Sequence, residues 1–571
     1  MLSAREIALA VKYHFFRKEG ALLRGVIPRS IESSLGRRAR VAYLLWEGRD
    51  YRAWMTEHLK RRHSLYTAPV EPGLLSVLTP VWDGSPLAYL KKLAASIIAQ
   101  NTSGDCEWVV LNNGCTDGKL LQYLESLKRY PWISVYETGE NLGIIRGLRF
   151  CLERAKGRYV LPVDSDDWLY PDCLQIVTSS IRSTGFPPLL YTDEDKLTGA
   201  RWIQPYFKPD FDPVLLLNSA YIAHLGVIER ETALKLDAYS DADVEGSPDW
   251  DLFVRFLLAG HSAVHIPEIV YSWRMHSGST ADREDNKSYI HSSQKAVLQR
   301  FLDGRAQGKN YSVEYSPFMN RSADWWLMRK HIGAWPLLDI ALLQSGRQRT
   351  SMQIDYPDVR RASVSIGASP ASLLGLLSDF HDDGLVCLHA EDFETDRPDW
   401  AWEAVGLMEL HGDVVMAGGR IRNRRGIVTT AGCCLGFDGD CGSPDEGRVE
   451  IDPGYFTQIL KQRSVSAVST QFALVRASFL RELLERGMHP KASLAFLGAW
   501  AGAHALRSGK RVVYSPFLGG VSDIDWEKLT GAPEREIFRR VNGGDIIPDH
   551  RFYPRYFGLE RGSAYQLASW S

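Results

Sequence analysis

Tyr159-Val-Leu-Pro-Val-Asp-Ser-Asp-Asp-Trp168 is an apolar run that breaks into three carboxylates within four residues. The apolar half is short, bounded and rich in β-branched residues, which predicts a buried strand. Asp164, Asp166 and Asp167 are then delivered to its C-terminal end. Carboxylates crowded this closely raise one another's cost of ionisation. A cation relieves that cost, and all-oxygen donors suit Mg²⁺ or Mn²⁺.

Upstream, the pattern alternates between two periods. Leu74-Leu-Ser-Val-Leu-Thr79 reads as a buried strand, and Leu87, Leu90, Leu93, Ala94, Ile97 and Ile98 follow helical spacing. Trp108-Val-Val-Leu111 predicts a second strand and 119–130 a second helix. A third strand at 133–136, a third helix at 145–155 and the strand at 159–163 complete the series. Alternating strands and helices with short connections predict a Rossmann-like, mostly parallel sheet. Such sheets bind ligands outside the carboxyl ends of their strands. Thr79-Pro-Val-Trp-Asp83, Asn112-Asn-Gly-Cys-Thr-Asp-Gly118, Asn141-Leu-Gly143 and the Asp164 cluster all fall on that rim. Downstream, Gly246-Ser-Pro-Asp249-Trp-Asp251 opens a further helix with an acidic pair, and Tyr271-Ser-Trp-Arg274-Met-His276 ends a strand in a polar loop.

The bulk properties narrow the class. The chain has 571 residues, enough for two or three domains, and a net charge of -2 that offers no nucleic-acid footprint. Its eight cysteines show no C-x-x-C spacing and read as reduced thiols of a cytoplasmic protein. Neither a signal peptide nor a spanning apolar run is apparent. Arg5, Lys12, Arg17, Lys18, Arg24, Arg29, Arg37, Arg38 and Arg40 are interleaved with Ile7, Leu9, Val11, Phe15 and Phe16. That pattern predicts a basic amphipathic helix, either docked on the body or lying on the inner face of an anionic bilayer as a peripheral contact.

With these motifs in order, residues 74–279 resemble a family 2 glycosyltransferase with the GT-A fold, of the kind that builds bacterial surface polysaccharides. The resemblance rests on Thr79-Pro-Val81, Asn141-Leu-Gly143, Asp164-Ser-Asp-Asp167, Asp193-Glu-Asp195, Asp249-Trp-Asp251 and Trp273-Arg-x-His276. It implies an inverting, metal-dependent transfer from a nucleotide-sugar to a glycan, plausibly lipid-linked. Thr79, Pro80, Val81, Asn112, Asn113, Asp164 and Ser165 would line the nucleotide site. Asp166, Asp167 and His276 would hold Mn²⁺ or Mg²⁺, Arg146 or Arg274 would face the diphosphate, and Asp249 would be the general base. Asp193, Glu194, Asp195, Trp250 and Asp251 would lie on the acceptor or donor-sugar side, with a solvated turn as the alternative for 193–195. His224 reads as a satisfied core histidine. Two departures stand out. Asn112 and Asn113 occupy a place where the family usually has an acidic pair, and Pro248 precedes the base.

The C-terminal half echoes the first. Leu385-Val-Cys-Leu-His389-Ala-Glu391-Asp392 matches the strand that ends in the Asp164 cluster, and aligning Gly260 with Gly509 places Gly498 where Asp249 stands. Glycine cannot act as a base. The expected organisation is therefore a helical N-terminal region (1–70), a catalytic domain (71–305), a degenerate GT-A-like domain (311–550) with no Thr-Pro-Val turn at Trp325 to Met328, and a tail (551–571). The degenerate domain would serve acceptor binding, self-association or bracing. Competing readings are a second transfer centre using Glu391, a sugar-nucleotidyltransferase, and a glycan-binding scaffold inert in both halves.

Overall fold

The computed structural model describes residues 49–62, 64–66, 68–276, 288–318, 324–332, 336–346, 353–524, 529–543 and 548–568. The basic stretch expected to form an amphipathic helix lies outside them. Among the described residues no helix is long and apolar enough to cross a membrane. The chain divides into two compact units that meet in sequence at Gly308 and Lys309.

The first unit is built on β1 (Leu75–Val81), β2 (Glu107–Asn113), β3 (Ile133–Thr138), β4 (Tyr159–Pro162), β5 (Trp168–Leu169), β6 (Leu189–Thr198), β7 (Arg201–Tyr206), β8 (Gly226–Glu229) and β9 (Val264–Arg274). They lie in the order β3-β2-β1-β4-β8-β6-β9-β5, with β7 beside β6. β3, β2, β1 and β4 run parallel, β8 enters antiparallel to both β4 and β6, and β9 returns parallel to β6. Val77, Leu78, Trp108, Val109, Val110, Val160 and Leu161 are all fully buried, because a parallel sheet covered on both faces takes near-continuous apolar strands. This is the α/β, mostly parallel sheet of the GT-A fold.

Helix α1 (Arg49–Arg62) belongs to this unit. Its Arg62, wholly buried, donates two hydrogen bonds to Asp172 at 2.8 and 2.6 Å, one to the Ile269 carbonyl at 2.7 Å and one to Glu268 at 3.3 Å. Tyr51, on the same helix, donates to Asp195 at 2.6 Å. Helices α2 (Leu87–Gln100), α3 (Gly118–Leu127) and α4 (Gly143–Arg154) follow the first three strands. Helix α5 (Cys173–Ser183) follows β5, α6 (Pro248–Leu258) precedes β9, and α7 (Ser288–Asp303) closes the unit.

The second unit opens with a hairpin of β10 (Tyr311–Tyr315) and β11 (Trp325–Arg329). Its main strands are β12 (Leu338–Gln344), β13 (Arg360–Ser365), β14 (Leu385–Ala390) and, after the two-residue β15 (Glu394–Thr395), β16 (Val414–Gly418). Short strands β17 (Ile421–Arg422), β18 (Val428–Thr430), β19 (Cys434–Leu435) and β20 (Cys441–Gly442) precede β21 (Arg463–Val465), β22 (Phe472–Arg476), β23 (Arg511–Tyr514) and β24 (Gly520–Val521). The large sheet runs β13-β12-β14-β22-β16-β23-β21. Its directions repeat those of β2-β1-β4-β8-β6-β9, with β22 as the antiparallel insertion. Among the described strands there is no counterpart of β3. The repeat corrects one alignment from sequence: β12, not Trp325 to Met328, stands where β1 stands, because Trp325–Arg329 is spent on the opening hairpin. All eight cysteines are free and buried.

Candidate active site

The rim at the carboxyl ends of β1, β2 and β4 is largely self-braced. Thr79, 0% exposed, accepts a hydrogen bond from the Trp108 indole at 3.0 Å, and Val81 is equally buried. Pro80 packs against α4 at Gly147. Strand alternation therefore sends Thr79 and Val81 into the core, not toward a ligand. Asn112 and Asn113, expected in a turn, extend β2 because pairing continues through Asn112 with Val81 and Asn113 with Thr138. Asn112 accepts from the Cys115 amide at 2.9 Å. Asn113 accepts from the Leu142 amide at 2.8 Å and donates to Asn141 Oδ1 and the Gly143 carbonyl, both at 3.1 Å. The two asparagines thus hold the turns of this rim. Ser165 is hydrogen-bonded to Ser85 at 2.7 Å, which ties the turn after β1 to the acidic loop. Arg146 is exposed on α4 and donates to the Leu142 carbonyl at 3.1 Å.

The acidic loop is clamped between β4 and β5, and β5 pairs with the end of β9. Its carboxylates diverge. Asp167 is buried; its Oδ1 accepts from the Arg274 amide at 2.7 Å and its Oδ2 from the Tyr271 hydroxyl. Burial and the neighbouring Asp164 and Asp166 push its pKa well up. Asp166 faces the other way, with Oδ2 2.7 Å from His276 Nε2 and its carbonyl accepting from Arg274 Nε at 2.7 Å. The Arg274 guanidinium lies over the Tyr89 ring at 4.7 Å. It is 2% exposed, and its Nη2 has no partner among the described residues.

On the other side of Asp164 stands His224, expected from sequence to be a satisfied core histidine; it is half-buried and satisfied by the acidic cluster itself. Its Nδ1 is 3.4 Å from Glu194, its Nε2 is 3.9 Å from Asp164, and its ring stacks on Tyr271 at 4.9 Å. Burial works against its charged form, but Glu194, Asp164 and Asp249 raise its pKa to about 10. His224 could not be found by spacing: it lies just before β8, and only the antiparallel insertion of that strand carries it into the cluster. Lys208, also buried, lies 3.4 Å from Glu194. Burial would raise the Glu194 carboxyl, yet Lys208 and His224 hold it down to about 2.

The 193–195 segment is not a solvated turn. It lies on β6, and alternation splits its roles. Glu194 faces the cluster. Asp193 accepts from the Lys208 amide at 2.8 Å and sits 2.8 Å from His265. Asp195 is buried on the opposite face and accepts from Tyr51 and Tyr170, each at 2.6 Å, and from Ser272. At the start of α6, Pro248 takes the first helical turn, where its missing N–H costs nothing. Asp249 follows, half-buried; burial, together with Asp164 and Glu194, raises its pKa to about 6 while His224 opposes the shift. Trp250 and Asp251 are structural. The Trp250 indole donates to the Leu216 carbonyl at 2.7 Å, and Asp251 accepts from Arg255 at 2.6 Å and Arg300 at 2.8 Å.

Among the described residues one group of possible ligands stands out: the ligating atoms of Asp164, Asp167 and His224 all lie within 4.8 Å of one another. Asp166, on the same loop, pairs with His276 beside them. The orphan nitrogen of Arg274 beside them is what a diphosphate oxygen would satisfy.

In the second unit Glu391 accepts from the Ser345 amide and hydroxyl at 2.6 and 2.9 Å, and Asp392 accepts from Ser522 at 2.6 Å. His389 is buried against Phe393 and Phe472, and burial lowers its pKa to about 4. Gly498 lies so close to the backbone that an added Cβ would stand 2.1 Å from the Val468 carbonyl oxygen.

Residues 76–187 match the family model described as glycosyl transferase family 2. An uncharacterized protein, y4gI, from Sinorhizobium fredii is 26% identical over 440 residues, 71% of this chain and 48% of that one. The O-antigen biosynthesis protein RfbC of Myxococcus xanthus is 30% identical over 243 residues, 41% of this chain and 19% of that protein. The chain therefore spans half or less of the length of these curated relatives. Among solved structures, residues 1–349 of S. aureus TarS in complex with UDP-GlcNAc are 20% identical over 40% of this chain and 66% of that one, with a TM-score of 0.35. The family match from β1 through α5, set within the sheet order described above, gives the assignment: residues 76–187 of the first unit form a glycosyl transferase family 2 domain.

Proposed function

We propose that the chain moves a sugar from a nucleotide-sugar to a glycan acceptor, with inversion, for the synthesis of a surface polysaccharide. The observation that carries this reading is the grouping of Asp164, Glu194 and His224, with Asp249 electrostatically coupled to them, around the buried, half-satisfied Arg274. A non-catalytic scaffold has no use for so many interacting charges gathered around a buried arginine, since a buried group left uncompensated costs stability. RfbC, by its name a protein of O-antigen biosynthesis, agrees in class.

A divalent cation, when bound, supplies positive charge against the departing diphosphate. Asp166 and His276 are its holders in this reading. Asp167 has both oxygens engaged by Arg274 and Tyr271, and His224, held positive by its three acidic neighbours, is a counter-charge rather than a ligand. Arg274 meets the diphosphate through its open Nη2, and Asp167 fixes Arg274 from behind. Asp249 accepts the proton of the acceptor hydroxyl; its raised pKa keeps it basic enough to take that proton near neutrality. His224 and Lys208 keep Glu194 ionised at the same time.

The second unit shares the topology but not the chemistry. With Gly498 sealed against Val468 and Glu391 engaged by Ser345, we infer that it performs no transfer and serves acceptor binding or assembly.

The test is isothermal titration of the full chain with UDP, GDP, dTDP and CMP, each with and without Mn²⁺, beside Asp166→Ala. Metal-dependent binding of one nucleotide, lost in Asp166→Ala, is the expected result. No binding of any nucleotide under either condition would sink the transferase reading.

A further inference from the structure

Helix α2 grips the acidic loop and its surroundings at both ends. Just before it, the Ser85 hydroxyl is hydrogen-bonded to Ser165 at 2.7 Å, in a turn that the Trp82 amide closes by donating to Ser85 at 3.2 Å. At its far end Gln100 donates to the Tyr170 carbonyl at 3.2 Å and accepts from the Leu174 amide at 2.9 Å, which fixes the chain as it leaves β5. Tyr89 lies between these anchors, in the first turn. Leu90, Leu93, Ala94 and Ile97 form the buried face of the helix. Tyr89 stands on the flank of that face, half-buried, and its ring meets the end of β9.

Two side chains share that ring. Arg274 and His276 stand two residues apart where β9 ends. The Arg274 guanidinium lies over the Tyr89 ring at 4.7 Å, and the His276 imidazole tilts against it with 5.2 Å between centroids. Both are also tied to Asp166: Arg274 Nε donates to its carbonyl, and His276 Nε2 faces its carboxylate, each at 2.7 Å. A guanidinium over an aromatic face is attracted by the ring, and more strongly where water is excluded, as at Arg274, which is 2% exposed. Arginine has much rotamer freedom to lose when it takes up an anion, and a side chain ordered beforehand spares that cost. A histidine that is to meet a cation needs its ring orientation fixed by its neighbours for the same reason.

We infer that Tyr89 is a positioning residue for the nucleotide-and-cation site: its ring, rather than its hydroxyl, holds Arg274 and His276 in the orientation in which they receive a diphosphate and its divalent cation. The inference rests on the transferase reading above. It adds a residue that lies outside every motif quoted from the sequence, where Leu87 and Leu90 on either side read simply as core. It also gives α2 a task beyond covering the sheet, since the helix that braces the acidic loop at both ends carries the ring that orders its partners.

The experiment compares full-length wild type, Tyr89→Phe and Tyr89→Leu by thermal unfolding and by calorimetric titration with UDP, GDP, dTDP and CMP over a series of Mn²⁺ concentrations. Phe keeps the ring, and Leu removes it while leaving an apolar side chain on the helix. Tyr89→Met, run beside them, is a second ringless variant should Leu fold poorly. Tyr89→Phe is expected to match wild type throughout. The ringless variants should bind the nucleotide about tenfold or more weakly at saturating Mn²⁺, and should need more Mn²⁺ to reach half of their own maximal affinity. A purely structural role would lower the unfolding temperature and leave the Mn²⁺ dependence where it was, so ringless variants with the wild-type dependence would overturn the inference, whatever their stability. Tyr89→Phe as impaired as Tyr89→Leu would overturn it too, because the hydroxyl would then be the group that acts. If wild type binds a nucleotide with no response to Mn²⁺, the ring has no cation site to order and the inference fails alone. If wild type binds none of the nucleotides at any Mn²⁺ concentration, the transferase reading fails and takes this inference with it.

Discussion

At the scale of single residues, the site works by dividing labour among groups that look alike in sequence. Asp164, Asp166 and Asp167 are near neighbours, but the loop between β4 and β5 turns each toward a different partner, so only one of the three has both oxygens closed off. Asp249 and Asp251 differ in the same way: the first faces the acidic cluster, while the second is tied by Arg255 and Arg300. Asp249→Asn should therefore lower transfer by about 10²–10⁴-fold with little change in folding, read from steady-state rates beside the unfolding midpoint. Asp251→Asn should do the reverse. It leaves two arginines short of a charged acceptor at a buried position and should cost about 2–4 kcal/mol in urea unfolding, with nucleotide affinity retained. Of these residues, Asp249 and Asp166 could be singled out from sequence because their motifs place them at strand or helix termini. His224 was not, since nothing in Tyr221-Ile-Ala-His-Leu-Gly226 records that β8 runs antiparallel between β4 and β6.

At the scale of elements, α1 acts as a strut for the first unit. Arg62 neutralises Asp172 and Glu268 where no water reaches, and Tyr51 reaches Asp195 on the far face of the strand that presents Glu194. Arg62→Ala strands the buried Asp172 carboxylate and leaves Glu268 to His58 and Tyr66, and should destabilise the first unit by about 3–5 kcal/mol in urea unfolding. In the second unit, helix α8 (Trp400–Leu410) carries Glu403, which accepts from the Trp326 indole at 2.8 Å, from Ser515 at 3.1 Å and from Gln462 at 2.5 Å. Burial outweighs these donors and raises its pKa to about 7. The folded state then holds a proton that the unfolded chain has given up. Its stabilising contribution is complete below the unfolded value near 4.5 and is lost as pH climbs through about 7. Unfolding free energy measured from pH 5 to 8 should fall more steeply in wild type than in Glu403→Gln, by up to about 3 kcal/mol across that interval at about 1.36 kcal/mol per unit. Equal slopes would show that Glu403 does not titrate there.

At the scale of the whole molecule, two copies of one sheet order have gone separate ways. The second has kept β12, β13, β14, β22, β16 and β23 in the places of β1, β2, β4, β8, β6 and β9. Where the first has Asp249 at the head of a helix, the second has close packing. Gly498 and Gly502 let a helix settle directly on the backbone at Val468 and Ser466, where an added Cβ would stand 2.1 and 2.3 Å from the carbonyl oxygens. Gly498→Ala should destabilise the second unit by about 1–3 kcal/mol, because the close approach leaves no room for a methyl group. In the full chain, Glu391→Gln should leave turnover unchanged, both alone and on top of the about 10²–10⁴-fold loss in Asp249→Asn. Residual turnover in Asp249→Asn that Glu391→Gln then abolishes would instead establish a second transfer centre.

The sequence by itself determined the alternation of strands and helices and the rim on which the acidic loop sits, because both are matters of local period and residue type along the chain. It could not say which carboxylates share a space. The tertiary structure decided that Asn112, Asn113, Thr79, Trp250 and Asp251 are engaged by neighbouring protein groups, that His224 and Lys208 belong to the cluster, and that the Tyr239 hydroxyl has no partner among the described residues. The physical reason is that strand alternation and the antiparallel entry of β8 and β22 assign each side chain to a face, and a face exists only once distant strands have been brought side by side.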